Sequence, residues 1–345
     1  MSKLSLQKPP TGGFLFSDEV PVRGLWRNGH VQTIATAYVP SQAKAVEWQR
    51  WREDTPDGDF VDFDALSALP GRNTNTVLIV FHGLEGSSGS HYAHSLGLMA
   101  QARDWHTVVP HFRGCSGEPN RAPRAYHSGD ADEIAWMLGR VRARYPAHRL
   151  LAVGVSLGGN ALMRWAGLQG AAAAERVHAV ASLCSPLNLG SAGRAIDVGI
   201  NRHIYAKHFL GTMKRKAVVK FQQFPRLFDL QAALQAQSLA AFDNVFTAPI
   251  HGYATVQDYW ARASAAPVLP EVRVPALCIN SHNDPFVPLA DLPHTQAMPC
   301  VQWALPRWGG HVGFLQRQDG CINMNATAQA MLDWLDRPTV AMCHG

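Results

Sequence analysis

Gly154-Val155-Ser156-Leu157-Gly158 follows the apolar run Leu150–Val153 and opens into a helical pattern at Gly159-Asn160, and this placement decides how the chain reads. A serine set in a tight turn between strand and helix presents its Oγ clear of the backbone. The turn tolerates only small neighbours two residues away, where a Cβ would strike the bent chain. Glycine stands at both positions. In a chain with 29 glycines the bare pentapeptide arises easily by chance, so its weight comes from the strand before it and the helix after it. The context predicts a nucleophilic serine at the carboxyl edge of a parallel sheet.

Working outward, short β-branched runs alternate with helical patterns, as in a succession of βαβ units. The expected strands are Thr76–Phe81, Thr107–Phe112, Leu150–Val155, Val177–Leu183, Ala276–Asn280 and Val301–Leu305, each nearly continuous in apolar residues and so buried on both faces. Helices are expected at His91–Arg103, Asp130–Tyr145, Leu157–Leu168 and Asn325–Leu335. Upstream, Val46–Glu53 and Phe60–Leu66 flank Pro56-Asp57-Gly58 and read as an antiparallel hairpin at the sheet's edge. From about Leu187 to Ala265 the rhythm breaks into aromatic-rich sequence with Pro225 and Pro249, which reads as an inserted helical cap. The fold class is α/β: a single domain over residues 1–345, a mostly parallel central sheet with helices on both faces, and a cap at 187–265.

Composition narrows the function classes. Hydrophobic residues form 47% of the chain and charged residues 17%, which excludes a disordered protein, and no stretch reaches the roughly 20 apolar residues of a membrane span. Met1–Pro10 has no apolar core of a secretory leader, so a cytoplasmic location is expected. The six cysteines (Cys115, Cys184, Cys278, Cys300, Cys321, Cys343) lack paired spacing and read as reduced thiols, neither a disulfide framework nor a zinc site. The net charge of +5 is dispersed except at Lys214-Arg215-Lys216 with Lys220, read as a solvated helix face. Nucleic acid is not an expected partner; a run this short supports at most peripheral contact with membrane lipid.

A serine hydroxyl needs a base to take its proton, and the base needs an orienting acid. His311, in Trp308-Gly309-Gly310-His311-Val312-Gly313-Phe314, lies just past the last expected strand, where a glycine-rich loop can carry an imidazole back over the sheet. Asp284 follows the strand Ala276–Asn280, at the edge where such sites gather. Asp291 lies deeper in the next segment, and Asp319 comes after the histidine and breaks the chain order Ser, acid, His. Two backbone donors for an oxyanion are assigned to the N–H groups of Leu84, in His82-Gly83-Leu84-Glu85-Gly86, and of Leu157. His127 and Asp132 have the spacing of a catalytic pair, but they fall where a helix begins, and Asp130 or Ser128 as N-cap is the simpler reading. Arg113-Gly114-Cys115-Ser116-Gly117 reads as the turn after a central strand, with no charged partner for Cys115. The chemistry requires neither metal nor organic cofactor.

Taken with Arg27-Asn28-Gly29-His30-Val31-Gln32-Thr33, Tyr126-His127-Ser128-Gly129, Phe242-Asp243 with Thr247-Ala248-Pro249, and Asn283-Asp284-Pro285-Phe286, these motifs resemble the YheT-like family of α/β-hydrolases, related to the eukaryotic ABHD lipid hydrolases. The likeness runs from about Arg23 to Leu335 and implies an α/β-hydrolase fold with its triad on Ser156, Asp284 and His311. It implies a carboxylic-ester hydrolase for short- to medium-chain acyl esters working through an acyl-enzyme. The alternatives are an alcohol O-acyltransferase or a lipase or phospholipase with the same triad, and a catalytically silent binding module. Of the aromatic residues in the cap, Tyr205, Phe209, Phe221, Phe224, Phe228 and Phe242 are candidates either for an acyl pocket or for plain core.

Overall fold

The computed structural model of the protein describes residues 24–38, 46–69, 75–296, 298–318 and 321–337. Met1–Pro10, Asp319 and Cys343 lie outside them. Among the described residues eight strands form one sheet in the order β1-β2-β4-β3-β5-β6-β7-β8: β1 Gln49–Asp54, β2 Phe60–Leu66, β3 Thr76–Phe81, β4 His106–Pro110, β5 Arg149–Val155, β6 Ala179–Leu183, β7 Ala276–Ile279 and β8 Val301–Ala304. β2 pairs antiparallel with both β1 and β4, and every other pairing is parallel. The expected hairpin is therefore present, with β1 at the edge.

Burial explains why these segments are strands. All six residues of β3 are buried, with Val77, Ile79 and Phe81 facing one layer and Leu78 and Val80 the other. On the first face α3 (Ala131–Arg144) and α4 (Leu157–Gln169) supply Ile134, Met137, Leu138, Leu162 and Trp165. On the opposite face α2 (His91–Gln101) and the carboxyl-terminal helix Asn325–Leu335 supply Leu96, Ala100, Met331 and Leu332. α1 (Gly29–Tyr38) precedes the hairpin. A two-stranded antiparallel ribbon, β9 Gln316–Gln318 with β10 Cys321–Asn323, was not expected.

Between β6 and β7 the chain leaves the sheet for a run of helices with apolar clusters of their own. Its longest helix is α5, Lys207–Gln223. A π-helical turn at Arg202–Ala206 precedes it, and α6, Val256–Ala263, returns toward the sheet. Cys115, Cys184 and Cys278 carry free thiols, whereas Cys300 is disulfide-bonded, which corrects the expectation of reduced thiols throughout. No helix among the described residues is long and apolar enough to cross a membrane.

Candidate active site

Ser156 occupies the junction of β5 and α4 with φ 52° and ψ −118°, a backbone state that non-glycine residues adopt only when their surroundings enforce it. Its N–H donates to Leu183 O of β6 at 2.8 Å, which pins the turn to the sheet. Gly158 lies so close to the end of β3 that a Cβ there would sit 2.4 Å from His82 O and 2.6 Å from Phe81 O. The buried amide of Asn160 then fastens α4 outward: its Nδ2 donates to Ser128 O and Ala263 O, and its Oδ1 accepts from Ala265 N, each at 2.9 Å.

The structure brings Ser156, His311 and Asp284 together. His311 Nε2 lies 3.0 Å from Ser156 Oγ, and His311 Nδ1 lies 2.9 Å from Asp284 Oδ2. A carboxylate can only accept, so Nδ1 carries the proton and Nε2 is free to accept from the serine hydroxyl. The second oxygen of Asp284 accepts from Phe286 N at 2.9 Å and Val287 N at 3.1 Å, which fixes the carboxylate from behind. The Phe286 ring packs 4.2 Å from the His311 ring. Asp291 is turned elsewhere and accepts from Ser191 Oγ.

Cys184 stands beside this pair, and its Sγ, with ligand atoms of Asp284 and His311, falls within 4.8 Å. The set is poorly suited to a metal. Burial pushes the Cys184 thiol well above its ordinary value, and Asp284 and His311 already spend those atoms on each other.

The loop after β3 is held by two tyrosines. Gly83 N donates to Tyr92 Oη at 2.8 Å and Glu85 N to Tyr126 Oη at 3.0 Å, leaving the Leu84 amide between two engaged neighbours. Leu157 opens α4, where helix N–H groups lack intrahelical partners. Leu84, Leu157, Ser156 and His311 all line one cavity of about 530 Å³.

Phe209, Phe242, Phe246, Trp260 and Phe286 line that cavity together with Arg113, Arg215, Lys216 and Lys220. The candidate aromatics divide. Phe209 and Phe242 reach the cavity, Phe221 and Phe228 pack in the insertion's own core, Tyr205 leans on Phe286, and Phe224 lies under the Lys220 ammonium. The basic run on α5 is not a solvated face. Lys216 Nζ donates to Glu85 Oε1 at 2.8 Å, and Lys220 Nζ donates to Asn120 Oδ1 at 3.0 Å and Ala122 O at 2.7 Å. Nor does Cys115 lack a charged neighbour, since Lys216 Nζ is 3.3 Å from its Sγ, yet burial still raises the thiol to about 11 and keeps it protonated. Arg113 is spent on Asp57, Asp59 and Glu133.

His127 and Asp132 do not meet. Asp130 caps α3 by accepting from Glu133 N, His127 Nε2 is 3.8 Å from Asp130 Oδ2, and Asp132 is exposed. Sequence reasoning assigned no role to Thr33, Asn283, Glu85 or Lys216, although the first three stood inside quoted motifs.

A parallel sheet carrying a serine at a strained strand-to-helix turn, beside a histidine and an aspartate from later loops, is the architecture of an α/β-hydrolase. The comparisons agree: the family described as alpha/beta hydrolase fold matches residues 76–318. The chain is 38% identical over 301 residues to the Escherichia coli (strain K12) protein named "Putative esterase YheT", covering 86% of each chain. It is 29% identical over 334 residues to human "Phospholipase ABHD3", covering 90% of this chain and 81% of that one. Among solved structures, an esterase from Pyrococcus furiosus superposes with TM-score 0.53 at 12% identity, covering 85% of this chain and 90% of that chain. The chain belongs to the YheT-like branch of the α/β-hydrolase family.

Proposed function

We propose that the protein is a carboxylic-ester hydrolase acting on short- to medium-chain acyl esters. The observation that carries this reading is the hydrogen-bonded line Asp284–His311–Ser156, at 2.9 and 3.0 Å, opening on a cavity of about 530 Å³ with aromatic walls. In this reading Ser156 Oγ attacks the ester carbonyl while His311 Nε2 takes its proton, and the imidazolium is held by Asp284. The oxyanion is received by the Leu84 and Leu157 amides. Collapse expels the alcohol, which takes its proton from His311. Water, deprotonated by the same imidazole, then attacks the acyl-enzyme and releases the acid and Ser156. Residues 187–265 serve as the cap, with Phe209 and Phe242 against the acyl chain.

The similarity to a protein named esterase supports the choice of ester, and the similarity to a protein named phospholipase makes phospholipid the second substrate to offer. The test is hydrolysis of p-nitrophenyl esters from C2 to C12 by wild type and Ser156→Ala. Activity that falls by roughly 10⁴- to 10⁶-fold in the variant supports the reading. Equal rates in both proteins, or none in wild type with any ester, overturn it.

A further inference from the structure

The acid and the histidine sit on loops after two different strands, β7 and β8, and the segment that spans both loops comes from the opposite end of the chain. α1 opens with Asn28 as its cap, accepting from His30 N at 2.8 Å. One turn in, Thr33 Oγ1 accepts from the His311 backbone N–H at 2.9 Å while its own proton goes to Gly29 O at 2.7 Å. Asn283, the residue before the acid, accepts at Oδ1 from Gly309 N at 3.0 Å and Gly310 N at 2.9 Å, and its Nδ2 donates to Arg27 O at 3.0 Å. The three backbones touch: a Cβ on Gly29 would lie 1.9 Å from Asn283 O, and one on Gly310 would lie 2.6 Å from Gly29 O. On its other side α1 reaches the insertion. His30 Nδ1 is 3.1 Å from Tyr205 Oη, Tyr205 packs at 4.5 Å on Phe286, and Phe286 packs on His311.

The histidine loop needs such support. Val312 and Phe314, neither of them glycine, have positive φ, so the loop carries backbone strain that its surroundings must hold. No strand ladder reaches His311. A displacement of about 1 Å in a reacting group can cost on the order of 100-fold in rate. We propose that α1 is a clamp on the site, with Thr33 as the positioning residue for His311 and Asn283 as the link that registers the histidine loop against the acid loop. α1 lies before residue 76, where the general α/β-hydrolase match begins, and Arg27–Thr33 is one of the motifs shared with the YheT-like branch. Its kinetic consequence rests on the ester-hydrolase reading; its structural consequence does not.

The experiment compares wild type, Thr33→Val, Thr33→Ser and Asn283→Ser by two readouts. The first needs no substrate: the low-field proton resonance of the His311–Asp284 hydrogen bond, assigned by its absence from Asp284→Asn. The second is kcat, KM and the pH profile on p-nitrophenyl butyrate, with melting temperature as control. The clamp predicts that Thr33→Val broadens or shifts the resonance and lowers kcat roughly tenfold with KM changed less than about twofold, and that Thr33→Ser restores both. A resonance unchanged in Thr33→Val overturns the proposal. Should Thr33→Val fail to fold, Asn283→Ser decides alone by the same resonance. If wild type hydrolyses no ester, that result counts against the ester reading, and the resonance still decides the clamp.

Discussion

The two halves of the site are held by different physics. On the serine side the nucleophile's turn is fixed by backbone: Ser156 N is bonded to Leu183 O, and Gly158 is pressed against the carbonyls of Phe81 and His82 with no room for a methyl group, while the Asn160 side chain anchors the helix behind it. On the acid and histidine side Asp284 accepts from the backbone amides of Phe286 and Val287, but the hydrogen bonds that tie the histidine loop to α1 and to the acid loop come from side chains. Thr33 reaches His311 across 278 residues of sequence, and Asn283 bridges the glycines before it. Close packing is unforgiving and not adjustable, whereas a hydrogen bond from a side chain can be removed with the fold retained. Substitutions on the serine side should therefore register in stability, and those on the histidine side in catalysis.

The sharpest contrast is Asp284→Asn against Gly158→Ala. The asparagine presents a donor or a weaker acceptor to His311 Nδ1 and destabilises the required tautomer, so the ester-hydrolysis rate should fall by about 10⁴ while the urea midpoint stays close to wild type. Gly158→Ala drives a Cβ against two backbone carbonyls that cannot move, and unfolding should become easier by about 3 kcal/mol or more. A Gly158→Ala protein with a wild-type midpoint would break the comparison. A smaller effect belongs to Lys216→Met. The variant releases Glu85, and with it the loop bearing the Leu84 amide, from α5. An activity loss of about tenfold is expected, with the acyl-enzyme forming more slowly in stopped-flow. Unchanged acylation would show that the two tyrosines alone hold that loop.

What was legible follows the same division. β3 and β5 could be read because strands buried on both faces have few polar residues to blur them, and the predicted bounds Thr76–Phe81 are those observed. Glycine spacing and chain order pointed to Ser156, Asp284 and His311, and the structure brings these three side chains within hydrogen-bond distance of one another. The support of the histidine was not, because nothing local in Arg27–Thr33 says what Thr33 touches. The inward turn of Lys216 and Lys220 was half legible: positions four apart share one helical face, and of the run only Arg215 is exposed, so it should not have been read as a single solvated surface. The layout inside the insertion was not legible, since apart from α5 its helices are short and pack on one another, and its aromatics serve both core and cavity.

The seam between sheet and insertion gives the smallest effect and a third mode of holding, one that titrates. His127, in the loop before α3, packs with its ring centroid 4.4 Å from that of His251 in the insertion. Burial lowers His127 to about 4, despite Asp130 nearby, and lowers His251 to about 3. In the unfolded chain both titrate near 6.5, so below that pH the unfolded state binds more protons than the folded one. Their contribution is complete above pH 6.5 and is lost as pH falls toward 4. Asp243, which burial raises to about 6, runs the other way: its folded form holds a proton that the unfolded chain releases from about pH 4, so its contribution is lost as pH rises from about 4 to about 6. Urea midpoints at pH 7, 5.5 and 4.5 separate the two. Wild type should lose stability on acidification, and His127→Gln/His251→Gln should lose distinctly less over the same interval, because the Asp243 slope is then opposed by fewer histidines. Parallel curves for the two proteins would mean that the seam is held by packing alone and that neither imidazole governs how the insertion sits on the sheet.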